Sequence, residues 1–344
     1  MPIFDHKWLQ WTLWPLSLLY GGVMAVRNTA YDRGWLPSYS VDALVISIGN
    51  LSVGGTGKTP VTQFLSETLS HAGYRVGILS RGYGRRSRGS VLVSRGDGPL
   101  CSPLESGDEP YWLALRTRHV PVLVDEDRVR GATTLIREHG VQIILLDDGF
   151  QHRRLRRNLD LVLFDPQQYR RAPFLLPAGY FREPLRSLRR AHWLGNTGDE
   201  LPPRIKRHFH GRIFRIQFEP VSVWEPLNQT RHSTDILKKA RVVAVAGIAQ
   251  PQRFFTMLER LEANILKKSA FRDHYKYRKT DWQTLQQQIR DFRADAIVTT
   301  AKDWMRLESL IQPDEGTVWV LDIGVQVEAE VLKTFVEEVR KRLA

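Results

Sequence analysis

The residues best suited to chemistry lie in two short runs. The first is Gly49-Asn50-Leu51-Ser52-Val53-Gly54-Gly55-Thr56-Gly57-Lys58-Thr59-Pro60, which combines closely spaced glycines with a lysine and a hydroxyl. Glycines let backbone N–H groups curl around phosphate oxygens, a lysine reaches a nucleotide's outer phosphates, and a threonine hydroxyl is a Mg²⁺ ligand. The candidate nucleotide contacts are therefore Gly54, Gly55, Thr56, Gly57, Lys58 and Thr59, with Thr59 also a candidate for the metal. The GxxxxGK[ST] template asks for glycine where this chain has Ser52, so the template alone is a near miss. The second run, Asp147-Asp148, ends the apolar stretch Val141–Leu146. An acidic pair at the C-terminal end of a strand beside such a loop holds Mg²⁺ directly or through water. The bland alternatives are a glycine turn without ligand and an acidic turn that caps a helix.

These residues work only if the elements around them hold them in place. The run Val45–Ile48 reads as a strand leading into the glycines, and Val61, Phe64, Leu65 and Leu69 repeat with helical spacing after them. From Val41 to Asp165 short β-branched runs alternate with amphipathic stretches, namely Ala43–Ile48, Val76–Leu79, Val120–Val124, Val141–Leu146 and Leu161–Phe164. That pattern predicts an α/β fold, a P-loop NTPase-like and mostly parallel sheet with helices on both faces. A second, smaller α/β pattern begins at Arg241–Gly247 and returns to strand at Ala296–Thr299 and Val318–Ile323. The expected division is residues 1–38 as an N-terminal membrane-associated helix and connector, 39–215 as the P-loop domain, 216–239 as a linker and 240–344 as the smaller domain with a C-terminal helix.

With 344 residues and 42% apolar content, the chain can bury one large core or two medium ones. Lys and Arg outnumber Asp and Glu by 50 to 37, a net charge of +13, so the natural partner is polyanionic. The single cysteine, Cys101, excludes an internal disulfide, and zinc spacing is absent, which fits a reducing cytoplasm. Trp8 to Val26 is uncharged, flanked by Lys7 and Arg27, and carries Trp8, Trp11, Trp14 and Tyr20. The run is just long enough to span a bilayer, but Gln10, Thr12, Pro15 and Ser17 dilute it, so an interfacial helix competes with a span and with a cleaved signal.

Other residues fit the same chemistry. Asp108, in Gly107-Asp108-Glu109-Pro110, is a candidate to accept the acceptor hydroxyl's proton, or else a helix cap. Arg128, in Asp-Glu-Asp-Arg, can hold a phosphate bidentately or pair at a helix start. Glu183 is a candidate outer Mg²⁺ ligand or a capping acid. Arg182, Arg186, Arg189 and Arg190, interleaved with Leu185 and Leu188, read as a short amphipathic helix suited to an anionic bilayer.

Taken together, these residues resemble one family, the tetraacyldisaccharide 4'-kinases. The resemblance rests on Gly49–Pro60, Ser80-Arg81-Gly82-Tyr83-Gly84, Gly107–Pro110, Asp125–Arg128, Asp147–His152, Pro177-Ala178-Gly179 with Arg182-Glu183-Pro184, Phe271-x-Asp273-His274 and Thr299–Asp303, in order over most of the chain. It implies transfer of the γ-phosphoryl group of ATP, with Mg²⁺, to the 4'-hydroxyl of a tetraacylated glucosamine disaccharide 1-phosphate in lipid A synthesis. It also implies Asp108 and His274 as a catalytic pair beside Lys58 and Arg128, and metal ligation by Thr59, Asp147, Asp148 and Glu183. The implied place is the cytoplasmic face of the bacterial inner membrane, with the membrane surface as partner and neither nucleic acid nor a protein partner expected. The family's usual Thr-Glu-Lys-Asp appears here as Thr300-Ala301-Lys302-Asp303, which leaves Lys302 and Asp303 to contact nucleotide or to pair at the surface. The rival functions are a P-loop ATPase that binds nucleic acid or another anionic partner, a GTPase-like switch, and a membrane scaffold with an inactive loop.

Overall fold

The computed structural model describes residues 7–198, 200–273, 275–312 and 316–343. The chain divides into two compact units, one running to Gln217 and resuming at Val325, the other spanning Phe218–Gly324. The strands are β1 (Leu44–Asn50), β2 (Val76–Ser80), β3 (Val91–Ser94), β4 (Val122–Val124), β5 (Ile143–Asp147), β6 (Leu159–Phe164), β7 (Trp193–Asn196) and β8 (Arg212–Arg215) in the first unit. Next come β9 (Gln217–Glu225), β10 (Thr230–His232), β11 (Arg241–Ala246), β12 (Asn264–Ala270), β13 (Ala296–Thr300) and β14 (Val318–Gln326).

The first unit is a mixed α/β body on an eight-stranded sheet of order β3-β4-β2-β5-β1-β6-β7-β8. Every pairing is parallel except β3 with β4. Every residue of β1, β2, β5 and β6 is buried, as expected for parallel strands covered on both faces. The chain switches sides of the sheet at β1: the connection after β1 leads to β2 on one flank, and the connection after β5 leads to β6 on the other. Such a switch opens a crevice at the carboxyl ends of the strands, where both chemical runs lie.

The second unit carries a six-stranded sheet of order β10-β9-β14-β13-β11-β12, parallel from β14 through β12. The C-terminal helix Ala329–Leu343, expected in the smaller domain, groups with the first unit instead. Phe335 meets Trp193 edge to face with ring centres 5.4 Å apart, Trp193 Nε1 donates to Glu338 at 2.9 Å, and Arg342 Nη1 donates to the Asn158 carbonyl at 2.7 Å. An apolar stripe predicts that a helix packs, but not against which sheet.

The N-terminal run forms a helix, Lys7–Asp32, that is turned inside out. Its buried residues are Gln10, Ser17 and Asn28, while Trp8, Trp11, Leu19, Val23 and Val26 are exposed. Gln10 and Ser17 donate to the carbonyls of Arg171 and Leu175, and Tyr20 donates to that of Arg182 at 2.9 Å. No helix among the described residues is long and apolar enough to cross a membrane, which corrects the spanning alternative. The same polar residues that dilute the run are the ones that dock it.

Candidate active site

The loop after β1 is built from within the first unit. Gly57 takes a left-handed backbone, φ 85°, and helix Lys58–His71 starts directly behind it with no side chain capping its first turn. Free N–H groups and the positive end of the helix therefore face the loop. A Cβ on Gly49 would lie 2.5 Å from Phe150 Cβ, so the loop and the acidic run pass too closely for any other residue. Asn50 Nδ2 donates to Thr56 Oγ1 at 2.8 Å, and Gln151 Nε2 donates to the Asn50 carbonyl at 2.9 Å.

Ser52, the departure from the template, has a local explanation. It does not take a left-handed backbone, so glycine is not needed there. Its hydroxyl donates to Gln168 Oε1 at 2.6 Å, Gln168 Nε2 donates to the Val53 carbonyl at 2.6 Å, and Val53 N donates to the Tyr180 carbonyl at 2.7 Å. The segment around Gln168 to Phe181 thus braces the loop from behind. Sequence reading gave Gln168 no role.

The acidic pair shows two opposed environments. Asp147 ends β5 and is buried; Thr62 Oγ1 donates to its Oδ1 at 3.3 Å, and its Oδ2 has no hydrogen-bond partner among the described residues. Burial, then repulsion from Glu109 and Asp148, pushes its carboxyl up to about 7. Asp148 takes a left-handed backbone, φ 55°, which breaks the alternation of the strand and lets consecutive carboxylates serve one edge. Against the upward push of burial, Lys58 and Arg182 hold Asp148 far below the usual carboxylate range. Lys58 Nζ lies 3.6 Å from it, and Arg182 grips both its oxygens at 2.8 and 3.0 Å while also bonding Asn50 Oδ1.

Arg182 is therefore an organiser of the site, where the sequence suggested a bilayer-facing helix. Residues Leu185–Arg190 form a 3₁₀ turn with Leu188 buried, and Arg190 lies over the Phe150 ring at 4.5 Å. Arg186 and Arg189 alone of that cluster keep the expected solvent-facing setting among the described residues.

Glu183 has its oxygens engaged within the fold. It is fully buried, Arg190 grips both its oxygens at 3.0 and 3.2 Å, and Asn28 Nδ2 of the N-terminal helix donates to its Oε2 at 2.8 Å. With both oxygens engaged it clasps the N-terminal helix to the body. The local signal was the nearby Arg190 seven residues on, a spacing that sequence alone does not turn into a contact.

Asp108 is the first residue of helix Asp108–Arg116, whose cap position belongs to Gly107. Its neighbour Glu109 is within electrostatic reach of Asp147, so the Gly-Asp-Glu-Pro turn lies beside the acidic pair. His274, its expected partner, lies outside the described residues. Arg128 opens helix Arg128–His139 and is buried; burial and the neighbouring Arg81 pull its guanidinium down to about 10. In the second unit, Lys302 is the second residue of helix Ala301–Leu307, and Asp303 is fully buried within that unit rather than paired at its surface.

The donor set suits Mg²⁺ bound with a nucleotide. No cluster of three or more His, Cys, Asp or Glu among the described residues could cage a metal alone. Mg²⁺ keeps several waters and takes one or two carboxylates plus phosphate oxygens, which the open oxygen of Asp147 and the edge of Asp148 can meet. An α/β fold with a glycine loop opening a helix beside such a pair defines a protein that handles phosphorylated ligands.

Comparison with known proteins makes this specific. The sequence pattern of the family described as Tetraacyldisaccharide-1-P 4'-kinase matches residues 9–341. A tetraacyldisaccharide 4'-kinase of Koribacter versatilis is 39% identical over 303 residues, covering 86% of this chain and 89% of that protein. One from Aquifex aeolicus is 35% identical, covering 94% of this chain and 96% of the other. A crystal structure of LpxK from Aquifex aeolicus in complex with ATP matches with a TM-score of 0.79 at 32% identity, covering 98% of this chain and all of that one. The chain belongs to the Tetraacyldisaccharide-1-P 4'-kinase family and is a kinase.

Proposed function

We propose that the edge formed by Gly54–Thr59 and Asp147-Asp148 carries out the family's reaction, ATP-dependent phosphorylation of the 4'-hydroxyl of a tetraacyl disaccharide 1-phosphate in lipid A synthesis. The observation that carries this reading is the buried Asp147 with an open oxygen beside an Asp148 already neutralised by Lys58 and Arg182. When bound, ATP with Mg²⁺ supplies the phosphoryl group and the charge that this edge is shaped to receive. Gly54, Gly55, Thr56 and Gly57 offer backbone N–H groups to the phosphates, and Lys58 neutralises their outer charge. Thr59, Asp147 and Asp148 hold the metal, and Arg182 keeps Asp148 and Asn50 in register. Asp108 accepts the proton of the acceptor hydroxyl.

The exposed apolar face of helix Lys7–Asp32 rests on an anionic bilayer, at the cytoplasmic face of the inner membrane, where the lipid acceptor lies. The direct test incubates the purified chain with labelled ATP, Mg²⁺ and the tetraacyl disaccharide 1-phosphate in detergent. The expected product is a bisphosphorylated lipid; label on RNA or protein instead would overturn the reading in favour of a nucleic-acid ATPase. Removing residues 1–27 should weaken vesicle binding more than ATP binding, and equal vesicle binding would refute the surface role.

A further inference from the structure

Helix Lys7–Asp32 has two faces, and the inner one docks on two segments of the first unit. On the segment 171–183, Ser17 donates to the Leu175 carbonyl at 2.7 Å and accepts from Ala178 N at 3.0 Å, Tyr20 Oη donates to the Arg182 carbonyl at 2.9 Å, and Asn28 meets Glu183. On the segment 151–153, the Gln151 carbonyl accepts from Arg27 Nη2 at 2.8 Å, and Arg153 Nη1 donates to the Asn28 carbonyl at 2.9 Å. The spacing of Ser17, Tyr20, Arg27 and Asn28 puts them on one side of the helix, with Trp8, Trp11, Leu19 and Val26 exposed on the other.

Those two segments are the ones that hold the start of the glycine-rich loop. Gln151, bonded to Arg27 through its carbonyl, donates through Nε2 to the Asn50 carbonyl at 2.9 Å. Arg182, bonded to Tyr20 through its carbonyl, donates through its backbone N to the Leu51 carbonyl at 2.7 Å and through its guanidinium to Asn50 Oδ1. Asn50 Nδ2 then fixes Thr56 of the loop at 2.8 Å. One residue stands between helix and loop on each route, and both routes end at Asn50-Leu51. An anchor alone needs neither route, because an amphipathic helix holds a chain to a bilayer wherever it docks on the body. Hydrogen bonds are lost over shifts of less than an ångström, so a helix seated correctly and a loop shaped for phosphate are favoured in the same state.

We propose that Tyr20 and Arg27 are positioning residues for the glycine-rich loop, so that seating the helix on an anionic lipid surface tightens nucleotide binding and nucleotide in turn strengthens the seating. This goes beyond holding the chain at a surface, and it rests on the nucleotide and surface readings above.

The test uses the full chain, an unhydrolysable ATP analogue with Mg²⁺, and vesicles of zwitterionic lipid mixed with anionic phospholipid, with no acceptor present. Calorimetry follows analogue affinity on and off vesicles, and sedimentation follows vesicle partition with and without the analogue. The parent should bind the analogue about fivefold more tightly or more on vesicles, and the analogue should raise partition by the same factor, as linkage requires. Tyr20→Phe removes only the hydroxyl. It should bring both factors toward one while partition without nucleotide stays at the parent's value and the thermal midpoint within about 3 °C of it. Arg27→Gln should also abolish the factor, and Arg27→Lys, which keeps a donor and the charge, should restore part of it. Thr12→Ala, whose hydroxyl bonds back to the Leu9 carbonyl of the same helix, should keep it whole. An unchanged factor in Tyr20→Phe and Arg27→Gln would overturn the proposal. So would a lower midpoint in Tyr20→Phe with affinity reduced equally on and off vesicles, the mark of a purely structural bond. A parent that partitions onto vesicles and binds the analogue equally on and off them would overturn this proposal alone. A parent that fails to partition would overturn the surface reading with it, and one that binds no analogue would overturn the nucleotide reading with it.

Discussion

Asp147 and Asp303 look alike by position and burial and differ in what their oxygens do. Asp147 ends β5 in one unit and Asp303 lies in the first turn of the helix that follows β13 in the other, with relative exposures of 1% and 0%. Burial pushes both carboxyls upward. Asp303 has every demand met: Gly247 N donates to both oxygens at 3.0 Å, Tyr277 Oη at 2.9 Å and Thr300 Oγ1 at 2.6 Å. Asp147 keeps one oxygen without a partner among the described residues and faces a second carboxylate. Burial and a raised pKa are therefore shared by a structural acid and a candidate metal ligand. Unspent hydrogen-bonding capacity is what separates them.

The comparison breaks most visibly in activity. Lys58→Ala and Asp147→Asn should each lower kcat by on the order of 10² to 10³ or more, because they remove charge stabilisation at the phosphoryl group. Asp147→Asn should also leave the thermal midpoint at or above that of the parent, since it removes a buried charge with an open oxygen. A variant with normal turnover and a lower midpoint would make Asp147 a structural acid like Asp303. Asp108→Ala tests the neighbouring turn: a loss of about 10² or more in kcat with unchanged ATP affinity fits a general base, and a loss far below tenfold fits a merely local role.

Asp303→Asn should do the opposite of Asp147→Asn. It disturbs three donors that converge on a buried carboxylate, a cost of about 1–3 kcal/mol per unsatisfied group, read as a lower urea midpoint. An unchanged midpoint would remove the contrast. Glu183→Gln sharpens the same point within the first unit: it should loosen the N-terminal helix, seen as faster proteolysis near Asn28, while the Mg²⁺ dependence of activity stays as it was. A shifted Mg²⁺ requirement would restore Glu183 to the metal.

The smallest effect concerns His152, just beyond the acidic pair. Burial, with Arg128 nearby, pulls its ring down to about 4, so the fold holds it neutral. A group with a depressed folded pKa binds fewer protons than the unfolded chain once the pH falls below the ordinary histidine value of 6.5. Its contribution to stability is therefore present above that value and is lost as the pH falls toward 4. The parent should lose more stability than His152→Gln between those limits; identical pH profiles would refute the burial argument.

The amino-acid sequence by itself determined the strand–loop–helix around Gly49–Pro60, the acidic pair closing Val141–Leu146 and the mixed α/β class, because those features are local. Backbone freedom at glycine, continuous apolar runs and helical periodicity act over a few residues and leave a readable pattern. The family's motif set was legible for the same reason. Tertiary structure alone decided which charges meet. Arg182 reaches Asp148 across 34 positions, Asn28 reaches Glu183 across 155, and the C-terminal helix returns to the first unit. A carboxylate's partner is set by the sheet order that brings distant segments to one edge, and with it whether that carboxylate is spent on the fold or left open for a ligand.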